Sequence, residues 1–318
     1  MEGIIGVTYR CNARCVMCNT WQFPTRSEEE IKPAVLEKLP VLRFANITGG
    51  EPFLRDDIEE IVQIVKKKSK RIVISTNGFF TDRILDVIRK NKEIGVRISI
   101  EGLPKANDEL RGMKDGFDKG LRTLIKLASL GCKDIGFGIT VSDKNAKDLL
   151  DLYKLANAMR FEFATAIVHN SYYFHKMDNE IKDKDAVAAE FQKLVREFLK
   201  TNRIKNWYRA YFNHGIINAI YGRKRLLPCK VGTDLFYMDP FGEIRPCNVM
   251  EETMGNINRH ATFAEIWNSD TAQSVRDKVA VCDKQCWMIG SVSPSIKKHF
   301  WKPTAWILQN KWRKNSRQ

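Results

Sequence analysis

The sequence predicts an α/β fold, a partial (β/α)6 barrel followed by a small Cys-rich domain, and three observations carry that prediction. Strand-like and helix-like segments alternate from residue 4 to about 168. That alternation then stops, giving way to one more amphipathic helix and an aromatic-rich stretch. Seven of the eight cysteines fall in two clusters, at 11–18 and 229–286. Alternation of this kind implies parallel strands, because parallel neighbours need crossovers. Six units are too few to close an eight-fold barrel.

The elements follow in order. Ile4–Thr8 and Phe44–Thr48 are short apolar runs, and Ile58, Ile61, Val62 and Val65 recur at helical spacing before the basic run Lys66–Lys70. Ile72–Ser75 is a β-branched strand, and Asp82 is placed to cap a helix whose stripe includes Leu85 and Ile88. Val96–Ile100 reads as a strand. Leu121, Leu124, Ile125 and Ala128 mark a helix that Gly131 ends. Ile135–Val141 is a strand, Leu149, Leu152, Leu155, Ala156 and Met159 a helix stripe, and Phe161–Val168 the sixth strand. Function is expected in the loops after the strands, because parallel α/β sheets bind ligands at their carboxyl ends.

Composition narrows the class. With 318 residues, 43% apolar and 29% charged, the chain has enough material for one large domain and a smaller one. No apolar run approaches a membrane span, and Met1 runs almost directly into a strand without the n-region and h-region of a secretory signal. A cytoplasmic placement is expected, and there cysteines serve as metal ligands or catalytic groups rather than disulfides. Lone Cys132 reads as a buried small hydrophobe. The net charge of +15 favours anionic partners in general; seven Lys or Arg and no acid stand between Lys297 and Gln318.

Cys11, Cys15 and Cys18 form C-x3-C-x2-C directly after the first strand. Three thiolates do not complete a structural zinc site, which takes four ligands. They suit a four-iron cluster in which one iron stays open to an outside ligand. Together with Gly49-Gly50-Glu51-Pro52 after the second strand, this pattern resembles the radical S-adenosylmethionine superfamily along essentially the whole chain. One position departs: the residue before the third cysteine, usually aromatic in that family, is Met17.

The resemblance implies S-adenosylmethionine bound to the open iron of a 4Fe-4S cluster held by Cys11, Cys15 and Cys18. One electron then cleaves the sulfonium and yields a 5′-deoxyadenosyl radical that abstracts hydrogen. It implies that Gly49 and Gly50 admit the methionine amino group, with Glu51 as an acceptor. Ser75 and Asn77 end the third strand and Ser99 and Glu101 the fourth, offering polar groups for ribose hydroxyls or the carboxylate. Arg111 is expected to pair that carboxylate, and Thr140 to line the adenine side. A flavodoxin- or ferredoxin-like protein is the expected electron donor.

Cys229, Gly242 and Cys247 are spaced C-x12-G-x4-C, and Cys282 and Cys286 follow as C-x3-C. The arrangement is similar to the SPASM/twitch extension of radical enzymes, whose shortened form carries one auxiliary iron–sulfur cluster. Four thiolates leave no open iron, which implies electron transfer; structural zinc satisfies the same ligand count.

The expected divisions are a barrel over 1–168, a helical linker with substrate contacts over 169–228, the cluster domain over 229–290 and a basic aromatic tail over 291–318. His175 is a candidate for proton transfer or a plain surface histidine. In the tail, Trp301, Ala305, Leu308 and Trp312 share a helical face among basic residues. This suits peripheral attachment to an anionic membrane, or else packing on the domain. No base-stacking platform points to nucleic acid. Peptide-modifying relatives usually carry a leader-binding domain, and the first strand at Ile4 leaves no room for one before it. A small-molecule, sugar or lipid-linked substrate is therefore expected ahead of a peptide. The competing class is a non-catalytic electron carrier or zinc-stabilised binding protein.

Overall fold

The computed structural model describes residues 1–312. Six strands, β1 (Glu2–Gly6), β2 (Phe44–Thr48), β3 (Ile72–Thr76), β4 (Gly95–Ser99), β5 (Ile135–Val141) and β6 (Glu162–Ile167), pair in parallel and in chain order. Their side chains alternate between two faces. Ile47, Ile74, Val96, Ile98 and Ile139 are buried on the convex face, while Asn46, Ser75, Arg97, Ser99 and Gly138 look into the lumen.

Helices α1 (Ile58–Lys68), α2 (Thr81–Arg89), α3 (Pro104–Arg111), α4 (Gly116–Ser129) and α5 (Leu149–Ala158) supply the crossovers after β2. In α1, Ile58, Ile61, Val62 and Val65 are buried, each worth roughly 1.5–3 kcal/mol. Glu59 and Glu60 in its first turn and Lys66–Lys68 in its last complement the helix dipole. Gly131, with φ of 85°, ends α4 as the spacing predicts. Asp82 does not cap α2: Phe80 holds that position and Asp82 lies one residue inside the first turn. The first connection also differs from expectation. Between β1 and β2 the chain makes only 3₁₀ turns, at Thr20–Gln22 and Pro33–Lys38, so the cysteine loop occupies the place of a crossover helix.

Helices α6 (Lys184–Lys200), N-capped by Asp183, and α7 (Ile204–Ile220) pack against each other. Strand β7 (Leu235–Met238) then joins β1 in parallel, and β8 (Glu243–Arg245) and β9 (Gly255–Asn256) continue antiparallel. The result is one nine-stranded sheet in the order β6-β5-β4-β3-β2-β1-β7-β8-β9. The cysteine-rich segment is thus built onto the edge of the barrel sheet. Helices α8 (Phe263–Trp267), α9 (Asp270–Ala280), α10 (Ile289–Lys298) and α11 (Trp301–Trp312) complete the chain.

Helices α7 and α10 cover the side that the strands leave open. A Cβ on Gly290 of α10 would sit 3.0 Å from Ile4, and one on Gly215 of α7 only 2.1 Å from the Trp287 ring, which donates its Nε1–H to Phe212 O at 2.8 Å. Helix α11 packs through Pro303 and Ile307, with Trp306 stacked on His214 at 4.7 Å. Trp301, Ala305 and Leu308 of the predicted face point outward; Arg313, Lys314 and Arg317 lie outside the described residues. Among the described residues no helix is long and apolar enough to cross a membrane.

Candidate active site

The loop leaving β1 is fixed by a buried carboxylate. Glu30 accepts from Thr8 Oγ1, from Thr25 Oγ1 at 2.6 Å and from Arg10 Nε at 3.0 Å, and it lies 3.5 Å from Arg55 Nη1. Gly50 N–H donates to Thr8 O at 2.7 Å and Glu51 N–H to Arg10 O at 2.8 Å. A Cβ on Gly50 would fall 2.3 Å from Arg10 O, so glycine is needed there for the chain's own close approach. On its far side the cysteine loop is pinned to the end of α3, where Arg14 N–H and Val16 N–H donate to Arg111 O and Leu110 O, both at 2.9 Å. These are carbonyls that the helix end leaves without an intrahelical partner.

Between these braces Cys11, Cys15 and Cys18 stand together as free thiols, close enough to feel one another's charge. Burial pushes the Cys11 thiol up to about 12 and raises Cys15 and Cys18 as well. Met17, buried, supplies apolar cover where an aromatic was expected. Cys132 is also buried, as expected of a small hydrophobe.

Glu51 is fully buried and already engaged: Oε1 accepts from Phe53 N–H at 3.1 Å and Thr76 Oγ1 at 2.7 Å, and Oε2 from Asn77 N–H at 2.7 Å. A carboxylate has about four lone-pair sites, so one remains. Asn77 Nδ2 donates to Asn12 Oδ1 at 2.7 Å, which ties the third strand end to the cysteine loop. Arg111 is buried beside Cys15 and Cys11, and its Nη1 donates to Glu101 Oε1 at 3.1 Å. Its Nε–H is buried without a partner. Glu101 also accepts from Thr140 N–H at 2.5 Å. Burial pushes both the Glu51 and Glu101 carboxyls up, against the pull of Arg111.

The predicted strand-end residues therefore divide. Asn77, Glu101 and Thr140 join the cysteine loop, Glu51 and Arg111. Ser75 and Ser99 lie two residues lower and face the lumen, with Ser75 Oγ donating to Asn46 Oδ1 at 3.0 Å.

Cys229, Cys247, Cys282 and Cys286 form a second group. Cys247 is buried among Val231, Leu235, Val249 and Met250, with Cys229 and Cys286 packed on them. Burial raises the Cys247 thiol to about 11. Cys282 is exposed, just beyond α9, near Cys286. Among the described residues no three Cys, His, Asp or Glu side chains converge on a single metal position. A cluster asks for less convergence, since each thiolate takes a different iron. Three free thiols around one buried cation with an unpaired N–H suit an anionic cluster carrying a carboxylate ligand.

One segment that the sequence left vague touches both groups. Phe174 O accepts from Asn19 N–H at 2.8 Å and Met17 O from Asn179 Nδ2 at 3.0 Å, while Ser171 Oγ donates to Asn248 O at 2.6 Å beside Cys247. Tyr173, buried, donates to Gly49 O and packs at a tilt between Tyr9 and Tyr237, at 5.8 and 5.1 Å. His175 is half-buried rather than a free surface histidine. It has φ of 49° and packs on Phe23 at 4.7 Å and Tyr9 at 5.3 Å. Its Nε2 and that of His169 are both buried without a partner, and His169 lines a cavity of about 340 Å³ together with Cys286. Its place just after the sixth strand was the available signal.

The Radical SAM superfamily model matches residues 5–156, and the model of an iron–sulfur cluster-binding domain, SPASM, matches residues 229–287. The chain is 35% identical over 161 residues to Fe-coproporphyrin III synthase of Methanosarcina barkeri, covering 47% of this chain and 39% of that protein. It is 28% identical over 278 residues to the antilisterial bacteriocin subtilosin biosynthesis protein AlbA of Bacillus subtilis, covering 83% and 58%. The chain thus spans less than two thirds of the length of both relatives. Native anSMEcpe with bound AdoMet and Cp18Cys peptide shares the fold with a TM-score of 0.65 at 17% identity, over 98% of both chains. The cofactors are accordingly S-adenosylmethionine, a 4Fe-4S cluster and auxiliary iron–sulfur. The chain belongs to the radical SAM superfamily and carries a SPASM-type domain behind its barrel.

Proposed function

We propose that this enzyme abstracts hydrogen from a small-molecule, sugar or lipid-linked substrate in the barrel lumen, with Cys11, Cys15 and Cys18 holding the radical-generating cluster. When bound, that cluster and S-adenosylmethionine supply a 5′-deoxyadenosyl radical. The observation that carries the reading is the buried Arg111 guanidinium, close enough to all three free thiols to feel their charge and with its Nε–H unpaired. Arg111 holds a carboxylate at Nε, Glu51 keeps one lone-pair site for an ammonium, and Asn77, Glu101 and Thr140 fix the surrounding strand ends. Ser75 and Ser99 face the substrate instead. Met17 and the Tyr173 segment exclude water from the loop.

Cys229, Cys247, Cys282 and Cys286 hold the auxiliary cluster, which leaves no thiolate position free and suits electron transfer. A flavodoxin- or ferredoxin-like protein supplies the first electron. The test is anaerobic: reconstituted protein with dithionite and S-adenosylmethionine releases 5′-deoxyadenosine, and its cluster signal changes when the sulfonium is added. An unchanged signal overturns the reading.

A second reading, peptide maturation, is favoured by the likeness to the subtilosin biosynthesis protein. Peripheral membrane attachment is supported by exposed Phe300, Trp301 and Leu308 beside Lys297, Lys298 and Lys302. Co-sedimentation with anionic vesicles at low salt tests it, and equal recovery without vesicles removes it.

A further inference from the structure

The lumen holds a cavity of about 650 Å³ whose chemistry is lopsided. Its walls are mostly apolar: Ile4, Phe44, Val73, Phe212, Leu235 and Ile296. Six cations also line it, Arg43, Arg71, Arg97, Lys205, Arg209 and Lys297, against one acid, Glu2. Arg43 and Arg71 stand just before β2 and β3, Lys205 and Arg209 in the first turns of α7 and Lys297 near the end of α10. Arg97, in the middle of β4, reaches back to Asp134 just before β5, so the six gather toward the mouth opposite the cysteine loop. Arg43, Arg71, Lys205 and Lys297 are about half exposed at the rim, while Arg97 and Arg209 are 13% and 19% exposed in the throat.

The carboxylates behind this ring do not neutralise it. Glu2 is shared by Arg43 at 2.8 Å and Lys297 at 2.7 Å. Asp134 is shared by Arg71 at 2.7 Å and Arg97. Glu162 is shared by Lys205 at 2.7 Å, Arg203 at 3.5 Å and Arg209. Counted against these three carboxylates, the six lining cations leave three positive charges in excess, and Arg203 adds a further one outside the lining. A low-dielectric channel behind such a rim attracts anions strongly.

We infer that this lumen binds a small amphiphile with an apolar body and two or more carboxylate or phosphate groups, entering anionic end outward from the amino-terminal mouth. The inference rests on the proposed reading of the cysteine loop and names its substrate class. Four residues separate Arg71 from Ser75, about 13 Å of strand, and two more reach Asn77, so the body spans ~13–20 Å from rim to cysteine loop. A peptide fits less well, because each residue brings a donor and an acceptor that Ile, Val, Phe and Leu walls cannot meet. Asn46, Ser75 and Ser99 give the buried end a few polar contacts.

Gly138 provides the control. A Cβ there meets nothing within 4 Å, so Gly138→Leu fills lumen without striking the backbone. Reconstituted protein is titrated calorimetrically at 0.1 M NaCl with decyl diphosphate and with a porphyrin tetracarboxylate. 1-Decanol is the uncharged match and an acidic decapeptide the peptide arm. The anionic probes should compete for one site and bind at least about tenfold more tightly than decanol. Whichever binds tighter tells an alkyl phosphate from a polycarboxylate. The Arg43→Gln/Arg71→Gln/Lys297→Gln variant should lose tenfold or more, and Gly138→Leu should lose binding at an unchanged melting temperature. If Gly138→Leu fails to fold, the rim variant decides alone. Decanol binding as tightly, the decapeptide binding best, or affinity indifferent to these variants overturns the inference. A cluster that still responds to S-adenosylmethionine would show that only this inference had failed.

Discussion

The two ends of the barrel treat the same functional group in opposite ways. At the carboxyl ends of the strands burial dominates: Glu51 and Glu101 are pushed up, together with the thiols of Cys11, Cys15 and Cys18, and Arg111 is the cation buried among them. At the amino ends burial also works to raise Asp134 and Glu162. There Arg97 and Arg71, and Arg209 and Lys205, override it and hold both carboxyls at about 2. The first end is a dry pocket whose polar groups wait for a charged ligand. The second is a cation-rich gate with charge to spare. A desolvated charge needs partners to offset its burial, and at the dry end the protein's own hydrogen bonds supply them only in part.

The largest effect that would break this contrast comes from the dry end. Cys15→Ser should reduce 5′-deoxyadenosine release to background, measured by chromatography, while leaving the melting temperature within a few degrees. Next, Arg111→Gln should weaken S-adenosylmethionine binding by roughly 10–100-fold, the loss of a charged hydrogen bond worth about 1.5–3 kcal/mol. The change is read as the midpoint of the cluster's spectroscopic response. If the midpoint stays put, Arg111 serves only Glu101.

The gate gives a smaller, pH-dependent signal. Because the Glu162 carboxyl is held low in the fold, its contribution is complete above its unfolded value of 4.5. That contribution drains away as pH falls toward about 2. Glu162→Gln should therefore cost on the order of 2–3 kcal/mol at pH 7 and flatten the acid limb of a urea-unfolding series. Glu51 and Glu101, shifted the other way, should contribute no stabilisation that is lost in this window. Smallest of all, Lys298→Gln removes a largely exposed ion pair with Asp234 and should change stability by about 0.5 kcal/mol or less.

Much of the dry end was legible in the sequence because its chemistry is local. Cys11, Cys15 and Cys18 lie within one loop, and the strand ends at Asn77, Glu101 and Thr140 follow from β-branched runs that fix where each strand stops. Glu51 lies at the end of the second strand beside Asn77, and nothing in the sequence announced that Phe53, Thr76 and Asn77 would occupy most of its lone pairs. The gate was invisible for the opposite reason. Its cations are scattered from Arg43 to Lys297, and only parallel register brings them into one ring. Asp82 misled because a capping residue and a first-turn acid look alike when the preceding residue is Phe80. Strand β7 was missed as a barrel strand because its four residues are all buried, so no alternation marked its face.

That same strand has a consequence for timing. Since Leu235–Met238 is laced to Glu2–Ile5 by main-chain pairing, no swivel separates the loop of Cys11–Cys18 from the segment bearing Cys229 and Cys247. Were both cysteine groups to hold clusters, this shared sheet would tie the distance between them to main-chain pairing, leaving driving force and reorganisation energy to set the rate of electron transfer between them.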